Sequence, residues 1–587
     1  MRRANRRWSA LVLVVVLIWG CGSTSPSLTP PTSTGTVQPS GSVGPSPALP
    51  TSAANPGVFE PNSVVATVSD SLRVRSQPRV SDDSIKYEPV LPLDTNLFVL
   101  DGPVSASGYN WYKVAPVSFA ELAGPGYGWV AAADKDGTPW IAPARGAAAE
   151  LSLAMAVVPR PAADPADARR AAVSINALGV NLYRRLLTDT GVALGDKNLV
   201  FSPTSIEIAL AMARAGAKGE TAAQMDKVLQ TKGWAQLGSG LNALDQALAS
   251  RNGKWTDGDG AKELTLRLAN APFAQRGWTI EQAYLDAMAA TFGAGLRLVD
   301  YQADPDAARN TINAWVKDRT AGRIPELLAK PNVTNSSRLT LVNAMYLKAQ
   351  WTELFQEDGT QPAPFKRPDG TTVSVPMMHR WGGQTIPYAR APGWQATELR
   401  YLGRDNVHQL AMLIVLPDDL ATFEAGLTAA QVALVAAAMN KANGLLSQPV
   451  DCPGIPHNQQ DAGCYPYSLN LFMPRFGIES KADLLAILTT LGMPLAFDAS
   501  ADFSGIHTGD PLYIGSVIHQ ANIDVDEKGT TAAAATAVGM DTGGGPSPVK
   551  DITLRLDRPF VFFVRDVDTG AVLFMGRVTD PSAPKGS

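Results

Sequence analysis

The chain reads as an α+β protein preceded by a small all-β module, and three patterns carry that reading. In the large C-terminal region, apolar residues first recur at helical spacing and only later fall into strand-like runs, so helices and strands are segregated and not alternated. Between about Pro61 and Pro143, short alternating runs are cut by Gly, Pro and Asp. The chain closes on a hairpin pattern: an apolar run at 560–564, a turn at Asp568-Thr569-Gly570, and a second run at 571–575. With 587 residues and 45% hydrophobic content, the chain has room for several folding units and can bury a core. Lys plus Arg number 50 against 54 Asp plus Glu, a net charge of −4. That near balance argues against DNA or RNA as the main ligand. Three cysteines and five scattered histidines form no metal-ligand cluster, so neither a metal nor a cofactor is expected.

The elements follow in order. Arg2, Arg3, Arg6 and Arg7 precede an apolar run from Ala10 to Trp19, the layout of an export signal. The run would make ~15 Å of helix, too short to span a bilayer. Ile18-Trp19-Gly20-Cys21 resembles a bacterial lipobox, although Trp19 departs from the small residue usual there. On that resemblance residues 1–21 are a lipoprotein-type signal and Cys21 is lipidated; the alternative is an ordinary secretory cut. Residues 22–59 hold no charged residue and are rich in Ser, Thr, Pro and Gly, a composition that reads as a disordered tether. Cys452 and Cys464, in a loop-like stretch, either pair as a disulfide in an oxidising compartment or stay as two thiols.

The all-β module is expected over residues 60–143, with strand-like runs at 64–68, 72–75, 111–114 and 128–130. Leu72-Arg73-Val74-Arg75-Ser76-Gln77-Pro78 and Gly126-Tyr127-Gly128-Trp129-Val130 resemble the two signatures of bacterial SH3-like domains. That resemblance implies a small barrel and a cell-wall peptide or glycan as its ligand. Trp111 and Trp129 serve either that ligand or, as large aromatics more often do, the core. The Ala/Pro-rich residues 144–167 read as a second linker.

The region 168–583 opens with helical spacing through Val173, Leu178, Leu182 and Leu186, and further amphipathic segments are expected at 205–215, 221–229, 281–292 and 307–319. Strand-like runs follow at 264–269, 339–347, 409–416, 469–472 and 552–556. Within this frame Asn198-Leu-Val-Phe-Ser202-Pro203-Thr-Ser205-Ile206, Leu339-Thr-Leu-Val-Asn343-Ala-Met-Tyr-Leu-Lys348-Ala-Gln-Trp351, Phe472-Met-Pro474-Arg475-Phe476, Asp502-Phe503-Ser504-Gly505-Ile506 and His519-Gln-Ala-Asn-Ile-Asp-Val-Asp-Glu527 stand in one order. Arg558-Pro559-Phe560 and Phe574-Met575-Gly576-Arg577-Val578 complete the set. Together they resemble the serpin family. The resemblance implies three β-sheets with about eight to nine helices, no catalytic residue, and inhibition of proteases by an exposed loop that is cut and then inserted into the main sheet.

The segment that would carry this is Glu527-Lys528-Gly529-Thr530-Thr531-Ala532-Ala533-Ala534-Ala535-Thr536. Alone it reads equally as a segment poised to add to a sheet or as a low-complexity surface loop or alanine helix. It holds little bulk, and Thr530, Ala532, Ala534 and Thr536 would alternate toward a core, so it is small enough to slip into an existing sheet. The resemblance further implies a polar shutter of Ser202, Ser205, Asn343 and His519, where the sheet parts. It puts Trp351 at the breach, where the hinge first enters, and pairs Arg475 with Glu527 to hold the hinge. The family's spacing from Glu527 sets the scissile bond near Gly543-Gly544; glycine fills no specificity pocket, so Met540, Asp541 or Thr542 are alternatives. Counting back from Arg558 gives a site near Pro548, so the loop is longer than usual.

The expected partner is a serine protease, with a cysteine protease left open, and the protein is expected to be a monomer. Contact with a membrane would be through a lipid anchor only, and the location an exported one at the cell envelope or beyond. The alternative is a non-inhibitory serpin acting as a cell-wall or protein binding module through its SH3-like domain. Catalytic motifs fail: there is no Gly-x-Ser-x-Gly elbow and no His-Glu-x-x-His helix, and Asp524-Val-Asp526-Glu-Lys528-Gly529 places lysine where a calcium ligand belongs.

Overall fold

The computed structural model describes residues 58–585 apart from 62, 117–126, 146–151, 157, 189–195, 258–259, 384–385, 405–406, 408, 447–465 and 531–549. Cys21, Cys452 and Cys464 lie outside the described residues, as do Ala532–Ala535 of the hinge and the scissile candidates Met540 to Gly544.

Seven strands make the N-terminal module: β1 (Val64–Thr67), β2 (Leu72–Arg75), β3 (Lys86–Leu91), β4 (Asn96–Ala106), β5 (Tyr109–Pro116), β6 (Gly128–Ala131) and β7 (Ile141–Pro143). They form one antiparallel sheet in the order β3-β2-β6-β5-β4-β1-β7. Period-two alternation explains β2, where Leu72 and Val74 are buried and Arg73 and Arg75 are not. Trp111 is buried with its Nε1 donating to the Ala106 carbonyl at 2.9 Å, a core role, whereas Trp129 is only half-buried.

Nine α-helices are found among the described residues: α1 (Pro165–Thr188), α2 (Pro203–Arg214), α3 (Gly219–Val228), α4 (Trp234–Ala249), α5 (Gln282–Phe292), α6 (Pro305–Arg319), α7 (Leu420–Ala425), α8 (Ala429–Leu446) and α9 (Leu485–Leu491). Three further sheets accompany them. A six-stranded sheet runs β16 (Tyr388–Ala391), β17 (Trp394–Arg400), β18 (Leu410–Pro417), β24 (Phe560–Asp566), β25 (Val572–Val578) and β9 (Leu199–Phe201). It contains the expected terminal hairpin, whose turn holds Gly570 at φ +80°, a conformation glycine adopts without strain. A four-stranded sheet runs β14 (Gln356–Lys366), β15 (Thr372–Gly383), β19 (Ser468–Pro474) and β23 (Asp551–Arg555).

The central sheet positions the site. Its members are β8 (Ser152–Ala154), β11 (Gly260–Gln275), β12 (Leu296–Val299), β13 (Leu339–Gln350), β20 (Phe476–Asp483), β21 (Val517–Val525) and β22 (Gly529–Thr530), in the order β20-β21-β22-β13-β11-β12-β8, with β10 (Gly253–Asp257) paired to β11. Both faces are covered, so β13 is buried without a break from Leu339 to Met345. Leu341, Met345 and Leu347 pack in the cluster that contains α2, whereas Val342 and Ala344 pack with α6.

Inside 144–167, expected as a linker, the chain is tied down at two points. β8 adds antiparallel to β12 as the outer strand of the sheet. Arg160 is buried with its guanidinium on Asp245 at 2.9 Å, Asn242 Oδ1 at 3.1 Å and the Thr291 carbonyl at 2.7 Å. A buried guanidinium is tolerated because its donors find acceptors.

Candidate functional site

The four residues expected to form the shutter gather at the junction of β9 and α2. Ser202 ends the strand and caps the helix: its Oγ accepts from the Ser205 amide at 3.1 Å and Pro203 occupies the first turn, where its missing N–H costs nothing. The Ser202 amide donates to His519 Nε2 at 3.0 Å, and His519 Nδ1 donates to Asn343 Oδ1. Those two bonds fix the tautomer: Nδ1 carries the proton and Nε2 accepts. Asn343 and His519 stand directly across the β13–β21 seam, where Leu341 to Met345 pair in parallel with Val517 to Ala521. Ser205 Oγ donates to Asn270 Oδ1 at 2.7 Å. All four expected shutter residues are therefore together and buried. Burial holds the His519 imidazole down at about 3, so it is neutral.

The residues expected at the breach lie at the other end of the seam. Trp351 is buried, its Nε1 donates to the Asp526 carbonyl at 3.0 Å, and its ring stacks on Tyr401 with centroids 4.5 Å apart. The Trp351 amide donates to the Lys528 carbonyl at 2.8 Å and the Phe355 amide to the Glu527 carbonyl at 3.0 Å. Glu527 receives the Arg475 guanidinium, with Nη2–Oε1 at 2.6 Å and Nε at 2.7 Å from both oxygens, and a further bond from the Thr360 hydroxyl. Burial pushes the Glu527 carboxyl up, but the Arg475 and Thr360 hydrogen bonds outweigh it and leave it below the usual range. The carboxylate is buried while Arg475 is 46% exposed. The pair is thus costlier to break than an exposed one, because removing the arginine would strand a buried charge.

Beyond Glu527 the chain turns sharply. Asp526 Oδ1 accepts from the amides of Lys528 at 2.8 Å and Gly529 at 3.1 Å. Gly529 has φ +153°, and a Cβ there would stand 2.1 Å from the Ala349 carbonyl oxygen, so only glycine fits this approach. Gly529 and Thr530 then enter the sheet between β13 and β21, with Gln350 opposite Gly529 and both Ala349 and Val525 opposite Thr530. Thr530 is buried, and its hydroxyl bonds that of Tyr401 at 2.6 Å. The sheet is therefore closed at the shutter end and wedged open at the breach end.

Asn270, Thr360, Tyr401 and Asp526 were not singled out from the sequence. Asn270 carried a signal, a lone amide in a strand buried on both faces, where a polar group needs a partner. Tyr401 carried none, since only the bridge between Trp351 and Tyr401 brings it there. Among the described residues no His, Cys, Asp and Glu group is arranged to hold a metal.

The fold and this hinge-over-seam arrangement define the class. The family profile described as Serpin (serine protease inhibitor) matches residues 173–581, and the chain belongs to the serpin family. The leukocyte elastase inhibitor of Bos taurus is 34% identical over 389 residues, 65% of this chain and 93% of the relative. An uncharacterized serpin-like protein of Thermococcus kodakarensis is 34% identical over 413 residues, 70% of this chain and 85% of that one. Among solved structures, human glycosylated kallistatin superposes with a TM-score of 0.56 at 26% identity, covering 72% of this chain and all (100%) of that one.

Proposed function

We propose that this serpin is a suicide inhibitor of serine proteases, and one observation carries the reading. The two registers that hold β22 are in phase. Continued residue by residue along β13 and along β21, both bring Val538 level with Leu341 and with Val517, which already face each other across the seam. Thr536 would fall between Asn343 and His519 by the same registers. A segment in phase with both neighbours can zip in as a full strand without slipping either one.

The chemistry belongs to the target. Its serine hydroxyl adds to a loop carbonyl, the peptide C–N bond breaks, the amine leaves with the proton, and the loop remains joined to the protease as an ester. The freed hinge then extends β22 toward the shutter. Each added ladder bond contributes roughly 0.5–1.5 kcal/mol net, and the small side chains of Ala532 and Ala534 clear the α2 face. The protease is carried along the sheet, and distortion of its own site halts hydrolysis of the ester. The leukocyte elastase inhibitors that the chain resembles support a protease as partner, with a cysteine protease as the second choice and Met540 to Gly544 as the cut region.

The same reading makes Cys21 a lipid anchor outside the cell and the N-terminal sheet an SH3-like module, whose half-exposed Tyr109 and Trp140 rings, stacked at 5.8 Å, offer a platform for a wall glycan. Cys21→Ser is expected to release the protein from membranes, and retention of that variant on membranes would count against the anchor. For inhibition, the full-length protein is mixed with a panel of serine and cysteine proteases. A complex stable in SDS, containing protease and the cleaved chain, is the expected result; clean cleavage by every protease without a complex would make the protein a non-inhibitory serpin.

A further inference from the structure

The outer strand β8 locates the N-terminal module with respect to the path of the inserted hinge. Pairing runs level across the sheet: Ser152 stands opposite Leu298, Leu298 beside Ala274, and Ala274 opposite Leu339. Leu339 is the first residue of β13, the end farthest from the breach. The in-phase register of the hinge puts Met540 in this same row, so a strand inserted to its full length leaves the sheet here. With strands ~4.8 Å apart, Ser152 is about 14 Å from Leu339 across the sheet. β8 runs from this row toward the breach, so the module, which precedes it, lies on the exit side. Packing agrees: Val64, Phe98 and Ala144 of the module share one apolar cluster with Leu153, Val299 and Tyr301.

A protease of ordinary size has a radius of gyration on the order of 17 Å. Held by an ester a few residues beyond Met540, it cannot occupy the exit side without meeting a body ~15–20 Å away on the same side. Among the described residues the module also exposes Val68, Val80, Ile85, Leu93 and Val104. At the exit itself, a groove of about 190 Å³ is lined by Arg338, Leu339, Thr340, Tyr513, Gly515 and Ser516.

We infer that the N-terminal module is part of the bed against which an arrested protease is pressed. Its occupant is the acyl-linked target, and the inference rests on the inhibitory reading above. The contact forms only after insertion, so it acts on the lifetime of the complex and leaves recognition of the loop untouched. A shared bed enlarges the interface that compresses the protease and keeps its active site distorted.

The test uses the full-length protein in two forms: the covalent complex, and the same chain cut in the loop by a protease that leaves no complex. Both carry the inserted strand, so insertion alone cancels out. Hydrogen exchange of the module's amides is expected to be several-fold slower in the complex than in the cut form. Amine-reactive cross-links from Lys86, Lys113 or Lys135 to the protease should appear in the complex only. A complex that forms with exchange in the module identical to the cut form, and with no such cross-link, overturns the inference and leaves the inhibitory reading standing. Failure to form any covalent complex overturns both.

Discussion

At the scale of single residues, His519 is the group whose chemistry is most constrained. Its neutral ring must accept from the Ser202 amide and donate to Asn343, and an imidazolium cannot accept. Its folded value of about 3 lies below the ~6.5 of a free imidazole. As pH falls below ~6.5 the unfolded or parted state takes up a proton that the closed shutter refuses, so stability is full above that pH and is lost progressively down to about 3, at up to ~1.4 kcal/mol per unit. Glu527, whose carboxyl is depressed, works in the same sense, but its loss begins only below the ordinary carboxylate range. Between ~4.5 and ~6.5 His519 lowers stability as pH falls, together with His379, whose ring is also depressed by burial, and against Glu207, whose carboxyl is raised by burial. We expect the melting temperature of uncut protein to fall from pH 7 to pH 5, and the slope to flatten in His519→Gln. An equal slope in that variant would assign the effect to other groups. His519, Asn343, Ser202 and Ser205 were legible in the sequence because each sits in a local string, whereas Thr360 and Tyr401 reach the hinge only through tertiary pairing.

At the scale of elements, the decisive pair is the two-residue β22 and the turn that feeds it. Thr530 has its methyl and hydroxyl sealed between β13 and β21 against Tyr401. Thr530→Arg would have to bury a charge there or leave the sheet. The variant is expected to be cut by the target at an unchanged rate while the stoichiometry of inhibition rises at least tenfold; an unchanged stoichiometry would show that entry does not begin at this residue. The second element is the chain between module and α1. Composition alone read it as a linker, since alanine and proline dominate, and one of its two ties, Arg160, finds its acceptors on α4 and at the end of α5, more than eighty residues away. Arg160→Ala would leave Asp245 buried, where burial already pushes its carboxyl up in spite of the arginine. A loss of about 3–5 kcal/mol is expected, read as a lower urea midpoint. The strand runs at 64–68, 72–75, 339–347 and 560–564 were legible from alternation or unbroken apolar character. β14 was not, because Pro362 and Pro364 interrupt it and much of it is exposed.

At the scale of the whole molecule, the inhibitory reading makes the sheet a structure with one strand missing. Uncut, the seam closes over the five pairs between Leu341 and Met345 on one side and Val517 and Ala521 on the other. Cut, the same edges would each gain a full antiparallel neighbour. A sample nicked in the loop by a protease that leaves no complex should therefore melt at least ~10 °C above the uncut protein in a calorimeter. Equal melting temperatures would mean that no strand had entered. The α+β order and the family were legible from helix-before-strand sequence and from seven dispersed strings. The arrangement of the N-terminal module was not, because it depends on Val64, Phe98 and Leu153 meeting Val299 and Tyr301, side chains with nothing in their local sequence to announce a shared partner.

The pairing of Ser152, Leu153 and Ala154 with β12 has one more effect. Backbone amides and carbonyls that a sheet leaves unclaimed along its margin invite a stranger's chain to dock, and crowded molecules then grow into chains of their own. On this flank the protein covers β12 with three residues of itself, an outer strand so short that it leaves a passing chain little margin to pair with.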